Sequence, residues 1–186
     1  MNQLYSAALE VQTLCRDRAW GFCFIGGLAT LRWGEPRLTR DIDLTILSEF
    51  GREEPIVDDL LQRFSSRLSD AREFAIENRV VLLRASNAIP IDVALGGLDF
   101  ERRTVERASE WQTGDALLLT CSAEDLIVHK VFAGRDRDWA DVVGIIERQG
   151  DRLEQSLIFD ELAPLVQVKG TEKDLDRLGR LLEAEG

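Results

Sequence analysis

The sequence predicts a mixed α/β (α+β) fold: one mixed β-sheet with flanking helices, followed by a small C-terminal helical region. Three observations predict it. Short apolar runs alternate with amphipathic stretches as far as residue 120, and only helical patterns follow. Two runs at 72–77 and 79–85 lie close enough to form a local antiparallel hairpin. The 186 residues are 45% apolar and 31% charged, the balance of a soluble globular chain with a substantial core. The expected organisation is a core over 1–120 and a helical region over 121–186, packed together as one unit.

The elements can be justified in order. Leu4, Ala8, Val11 and Cys15 share one stripe and predict a helix over about 3–19. A strand at 21–25 runs into Gly26-Gly27, then a helix at about 27–33 and a strand at 40–47. Pro55 suits a first helical turn and opens a helix to about Leu68. Strands at 72–77, 79–85 and 89–95 precede a helix at 99–108 and a short strand at 116–120. Ser122, with Asp125 three residues on, is an N-cap signal for a helix carrying Leu126, Ile127, Val131 and Phe132, which Gly134 breaks or kinks. Trp139, Val142, Val143 and Ile146 stripe the next helix. The last two are expected near 152–162 and 172–184, around Lys169-Gly170-Thr171.

The chemistry concentrates in residues 24–44. Asp41 and Asp43 are two apart in an apolar strand, so both side chains point to one face. Side-by-side carboxylates in a half-buried setting repel, and a metal ion is the usual remedy. Mg²⁺ is commonly held by one or two carboxylates together with substrate phosphates. Gly26-Gly27 stands where a strand gives way to a helix, whose free amides form an anion site. Each feature has an ordinary reading: a solvated acidic strand face, or a plain tight turn. Their combination points to phosphoryl or nucleotidyl transfer. Asp92, alone in Ile89–Leu95, is either an edge acid bonded to a loop, the third metal-binding carboxylate, or a general base toward an attacking hydroxyl.

The order Gly26-Gly27, Asp41-x-Asp43, then Asp92 on a later strand resembles the signature of the polymerase-β-type nucleotidyltransferase superfamily. Segment 121–143 is similar to further motifs of AbiEii-type toxins, nucleotidyltransferases of bacterial toxin–antitoxin and abortive-infection systems. Lys130, Ala133 and Arg135 match one motif with a residue fewer before the arginine, and Arg137, Asp138 and Asp141 match another. The resemblance covers roughly residues 20–145. It implies a nucleotidyltransferase-like sheet and transfer of a nucleotide from an NTP to a hydroxyl acceptor. The implied acceptors are tRNA, a protein or a small molecule, with an antitoxin protein as partner. Mg²⁺ or Mn²⁺ would sit on Asp41, Asp43 and Asp92. Gly26, Gly27, Arg40, Lys130 and Arg135 would meet the nucleotide, with Lys130 among the catalytic group and Asp138 orienting Lys130 or Arg135. A non-catalytic binding module of the same fold is the alternative.

Other residues are less telling. Arg37, Thr39 and Arg40 precede Asp41, as phosphate ligands, partners of the carboxylates or solvated loop residues. His129 is the only histidine, which leaves no His/Cys zinc cluster. Cys15, Cys23 and Cys121 are scattered and read as reduced core thiols of a cytoplasmic protein. No stretch reaches transmembrane length and no leader pattern opens the chain, so no membrane partner is expected. Thirty-four acids against twenty-three bases give a net charge of −11, contrary to a general nucleic-acid binder. Arg102, Arg103 and Arg107 are the one local basic patch proposed for RNA.

Overall fold

Asn2 starts the first helix: its side-chain oxygen accepts the Leu4 amide at 3.0 Å, and α1 (Gln3–Asp17) follows. Leu4, Ala7, Ala8, Val11 and Cys15 make its buried stripe. The computed structural model describes residues 2–185, which fall into two units. The first comprises the residues up to Leu28 and Leu38–Cys121; the second, Ala29–Arg37 and the residues from Ser122 onward.

The first unit is built on a seven-stranded sheet. Its strands are β1 (Phe22–Phe24), β2 (Ile42–Leu47), β3 (Ser65–Ser66), β4 (Val80–Arg84), β5 (Pro90–Gly96), β6 (Ser109–Thr113) and β7 (Ala116–Thr120). Their spatial order is β3-β4-β5-β2-β1-β7-β6. The pairs β2–β5 and β1–β7 are parallel and the other four antiparallel, so the mixed sheet expected from the sequence is present. Ile42, Leu44 and Ile46 of β2 and Ile91, Val93 and Leu95 of β5 are buried on one face. The alternate residues, Asp43 and Thr45 on β2 and Asp92 and Ala94 on β5, project to the other.

Helix α2 (Gly26–Trp33) leaves β1 and crosses the boundary between the units. Helices α3 (Glu54–Arg63), α4 (Ala71–Asn78) and α5 (Asp99–Glu106) complete the first unit. Buried Gln12 ties α1 to β7, donating to the Leu117 carbonyl at 2.8 Å and accepting from the Leu119 amide at 3.0 Å. A Cβ at Gly96 would meet both Thr45 and Glu101, and one at Gly21 both Leu47 and Val105, so α5 packs beside the far end of β2. Cys15, Cys23 and Cys121 are free and buried, and burial pushes the Cys15 thiol up to about 12.

The second unit is helical: α6 (Ala123–Ala133), α7 (Asp136–Gln149), a 3₁₀ turn (Gly150–Arg152), α8 (Gln155–Lys169) and α9 (Lys173–Glu185). Ser122 caps α6 by accepting the Asp125 amide, and Gly134, at φ +73°, ends it in the left-handed region. Segment 29–37 is stapled to α7. Arg148 donates to the Gly34 carbonyl at 2.5 Å and Gln149 to the Trp33 carbonyl at 2.6 Å. Among the described residues no helix is long and apolar enough to cross a membrane.

Three local expectations are corrected, and one strand is new. Residues 72–77 are helical, not a strand: Ala, Arg and Glu favour a helix there, and Arg79 closes it at φ +54°. The helix opened near Pro55 stops at Arg63, after which Ser65–Ser66 pair with β4. Strand β6 escaped sequence reading because it is an exposed polar edge, recognisable only through its pairing with β7. Helix α8 continues past Pro164, carried by the buried stripe Ile158, Leu162 and Val166.

Leu44 is fully buried on β2, between Val93 of β5 and Phe24 of β1. Leu44→Ala is expected to lower unfolding free energy by about 2–5 kcal/mol, measured by urea titration.

Candidate active site

Parallel pairing of β2 with β5 brings two of the predicted acids together. Asp43 and Asp92 are register partners and therefore neighbours across the strand gap, on the same face. Asp41 lies one residue before β2, outside the strand in which it was expected. It is near enough for its negative charge to act on Asp92. Burial pushes the Asp92 carboxyl up, the Arg67 guanidinium pulls it back, and Asp41 adds to the rise; the balance is a raised pKa. Arg67 Nη2 donates to Asp92 Oδ1 at 2.5 Å, while its Nε is buried without a hydrogen-bond partner.

The Gly-Gly turn meets Asp43 directly. Gly26 has φ +57°, and a Cβ there would stand 2.1 Å from Asp43 Oδ2. The Gly27 amide donates to the same oxygen at 3.4 Å, and Ile25 donates its amide to the Asp43 carbonyl at 3.0 Å. Thr39 packs on Gly27, and its buried hydroxyl has no partner. Arg40, which follows, is exposed. The turn thus grips the Asp43 carboxylate, where the sequence suggested amides turned to phosphate.

Among the described residues no group of three or more His, Cys, Asp or Glu side chains is arranged to hold a metal ion. Asp92 is drawn to Arg67 and Asp43 to the glycine turn. The donor set still suits Mg²⁺ or Mn²⁺, since adjacent hard carboxylate oxygens are what such ions take, with the Arg67 guanidinium holding Asp92 where an ion would otherwise bind.

The second predicted cluster lies in the second unit, around a buried cation. Lys130, 4% exposed, places Nζ 2.5 Å from Asp141 Oδ2 and 3.9 Å from Asp138 Oδ1. Arg37 makes a two-point contact with Asp141, Nε to Oδ1 at 2.7 Å and Nη2 to Oδ2 at 2.9 Å. Arg135 does the same to Asp138, at 2.5 and 3.3 Å. Burial pushes the Asp141 carboxyl up, but hydrogen bonds and charge from Arg37 and Lys130 outweigh it, and Asp141 titrates below the usual carboxylate range. The Lys130 ammonium lies inside a salt-bridged core, where the sequence suggested contact with a nucleotide, and Asp138 pairs with Arg135 beside it.

The model of a family described as nucleotidyl transferase AbiEii toxin, type IV TA system, matches residues 15–185. The chain belongs to this family. A comparison with curated proteins finds no match. Among solved structures, an antigenic nucleotidyltransferase-like protein from Paracoccidioides brasiliensis is similar at TM-score 0.57 and 16% identity, over 99% of this chain and 94% of the other. The antibiotic-resistance factor ANT(2'')-Ia is similar at TM-score 0.56 and 14% identity, over 93% and 96%. At those identities the two establish a shared fold. The AbiEii family and the nucleotidyltransferase fold are as the sequence motifs implied.

Sequence reasoning missed Arg67. It stands in no motif, and only the short β3 pairing brings it to Asp92. Thr39 was noted as a loop residue, but its buried, unpartnered hydroxyl is visible only in three dimensions.

Two outcomes test this geometry. Gly26→Ala combines a left-handed φ with displacement of Asp43 and is expected to lower stability by about 2 kcal/mol or more in denaturant titration. Gly51→Ala, also at positive φ but with open space around it, should lose only about 1 kcal/mol. Asp141→Asn leaves Lys130 buried without its closest carboxylate and should cost about 3–5 kcal/mol. Because the folded pKa of Asp141 is lowered, its contribution is present above its ordinary value of 3.8 and is lost as pH falls through the folded value. Stability profiles of wild type and variant should therefore converge in acid.

Proposed function

We propose that this protein transfers a nucleoside monophosphate from an NTP to a hydroxyl acceptor, with release of pyrophosphate. The observation that carries the reading is the in-register pair Asp43 and Asp92 beside the Gly26-Gly27 turn, in a chain of the AbiEii family. The acceptor oxygen attacks the α-phosphorus, the bond from that phosphorus to the pyrophosphate oxygen breaks, and the acceptor proton passes to the Asp92 carboxylate. Arg67 fixes that carboxylate and supports its orientation. Asp41, Asp43 and Asp92 would hold Mg²⁺ or Mn²⁺, which when bound would neutralise phosphate charge.

The amino end of α2 stands against Asp43 at Gly26 and against Thr39 at Gly27, and its remaining amides and the Thr39 hydroxyl are assigned as donors for phosphate oxygens, with Arg40 an exposed cation in the same loop. Lys130 and Arg135, engaged by Asp141 and Asp138, are assigned a positioning role in the second unit in place of phosphate contact. Rate enhancement comes mainly from positioning and electrostatic preorganisation. The acceptor class is a tRNA, a protein or a small molecule, and the family description supports a cognate antitoxin as protein partner.

Incubation with α-labelled NTP, Mg²⁺ and a fractionated cell lysate tests the reading. Wild type should label one fraction, which names the acceptor class. Asp41→Ala/Asp43→Ala should label none, and Asp92→Asn should be slower by about 10²–10⁴-fold. Equal labelling by all three, or none by wild type, would remove the enzymatic reading and leave a binding module of the same fold.

A further inference from the structure

We propose that the second unit carries an anion-binding pocket for a small di- or triphosphorylated ligand, where α8 turns into α9. The site lies wholly within that unit and is independent of the transfer reaction proposed for the acids of the sheet.

The turn builds the pocket. Gly170, at φ +71°, donates its amide to the Gln167 carbonyl and Thr171 donates its own to the Val166 carbonyl, so α8 ends and α9 begins within three residues. Lys169 then sits at the end of one helix, while Lys173, Arg177 and Arg180 follow at i, i+4 and i+7 along one face of the other. These four cations line a cavity of about 500 Å³ with one acid, Asp174, among the lining residues. In a chain of net charge −11 this is a local inversion of sign, and a concave site lined by one charge focuses its field.

The cations are not neutralised internally. Glu172 and Asp176 adjoin them in sequence, yet among the described residues Lys173, Arg177 and Arg180 enter no ion pair. Arg177 is held by stacking, its guanidinium carbon 4.0 Å from the centre of the Trp139 ring, which leaves its N–H donors available. Lys169 is anchored over the Phe132 ring, with its ammonium on the Phe132 carbonyl. Thr171 lines the same cavity, and its buried hydroxyl has no hydrogen-bond partner, a rarity that calls for a ligand atom.

Size and lining select the ligand. The volume falls in the range of small-molecule sites, but the lining is cationic where such sites are usually apolar, so several clustered negative charges are required. The cations are gathered around one cavity and do not form a stripe, which favours a compact polyphosphate over a nucleic-acid strand.

Calorimetric titration of the full chain with inorganic pyrophosphate, in EDTA to exclude metal-dependent binding elsewhere, tests the proposal. Wild type should bind saturably. Lys173→Ala/Arg180→Ala changes two exposed side chains and should bind at least about tenfold more weakly, with an unaltered circular-dichroism spectrum. Thr171→Val should weaken binding several-fold, and Asp41→Asn/Asp43→Asn should bind like wild type. Unchanged affinity in Lys173→Ala/Arg180→Ala, no saturable binding by wild type, loss of binding in Asp41→Asn/Asp43→Asn, or binding of single-stranded RNA in place of pyrophosphate would each overturn it.

Discussion

The parallel register of β2 against β5 is the constraint on which the site of this molecule depends. Ile42, Leu44 and Ile46 face the core with Ile91, Val93 and Leu95, and all six are buried. A slip of one residue would turn the acids inward and the aliphatic side chains out, losing the transfer free energy of several large groups while burying charge. The hydrophobic effect therefore fixes the register, and the register sets Asp43 beside Asp92. Repulsion between the two carboxylates is the smaller term: Asp92 is part-exposed and answered by Arg67, which limits what the repulsion costs. Sheet packing and site chemistry share one cause.

The glycine turn extends the same logic. A motif of Gly-Gly followed by Asp-x-Asp invites a reading as two separate ligand-binding pieces. In the fold they are one steric unit, since the space of a side chain at Gly26 is filled by the Asp43 carboxylate. Only glycine satisfies both the positive φ and that close approach. The spacing between them is the length of chain needed to leave β1, run through α2 and its following segment, and return antiparallel as β2.

Much of this was legible in the sequence, for identifiable reasons. Apolar runs interrupted by Asp43 and Asp92 marked their strands, and Ser122 and Gly134 marked both ends of α6. What failed to show were features decided by pairing across the chain. Strand β6 has no apolar face of its own, and residues 72–77 carry as much aliphatic content as a strand while their Ala, Arg and Glu favour a helix. Arg67 reaches Asp92 only because two residues of β3 add to β4. Lys130 illustrates the converse. Its motif was visible, but its burial was not, because Arg37, which completes the cluster with Arg135, Asp138 and Asp141, comes from a distant part of the chain.

That last cluster also explains how the second unit takes residues 29–37 into its own fold. Lys130 on α6 and Asp141 on α7 form a pair whose desolvation alone would make it costly. Arg37 supplies the second cation and satisfies both Asp141 oxygens, which turns a lone buried pair into a bridged network and lowers the Asp141 pKa despite its burial. The same segment is fixed again at its Trp33 and Gly34 carbonyls by Gln149 and Arg148 of α7. Charge drawn inward here is paired with carboxylates. Charge gathered between α8 and α9 is not, although acids adjoin it in sequence. A fold that pairs its buried ions so completely in one place, and leaves four cations facing a cavity in another, distinguishes structural charge from charge kept for a ligand.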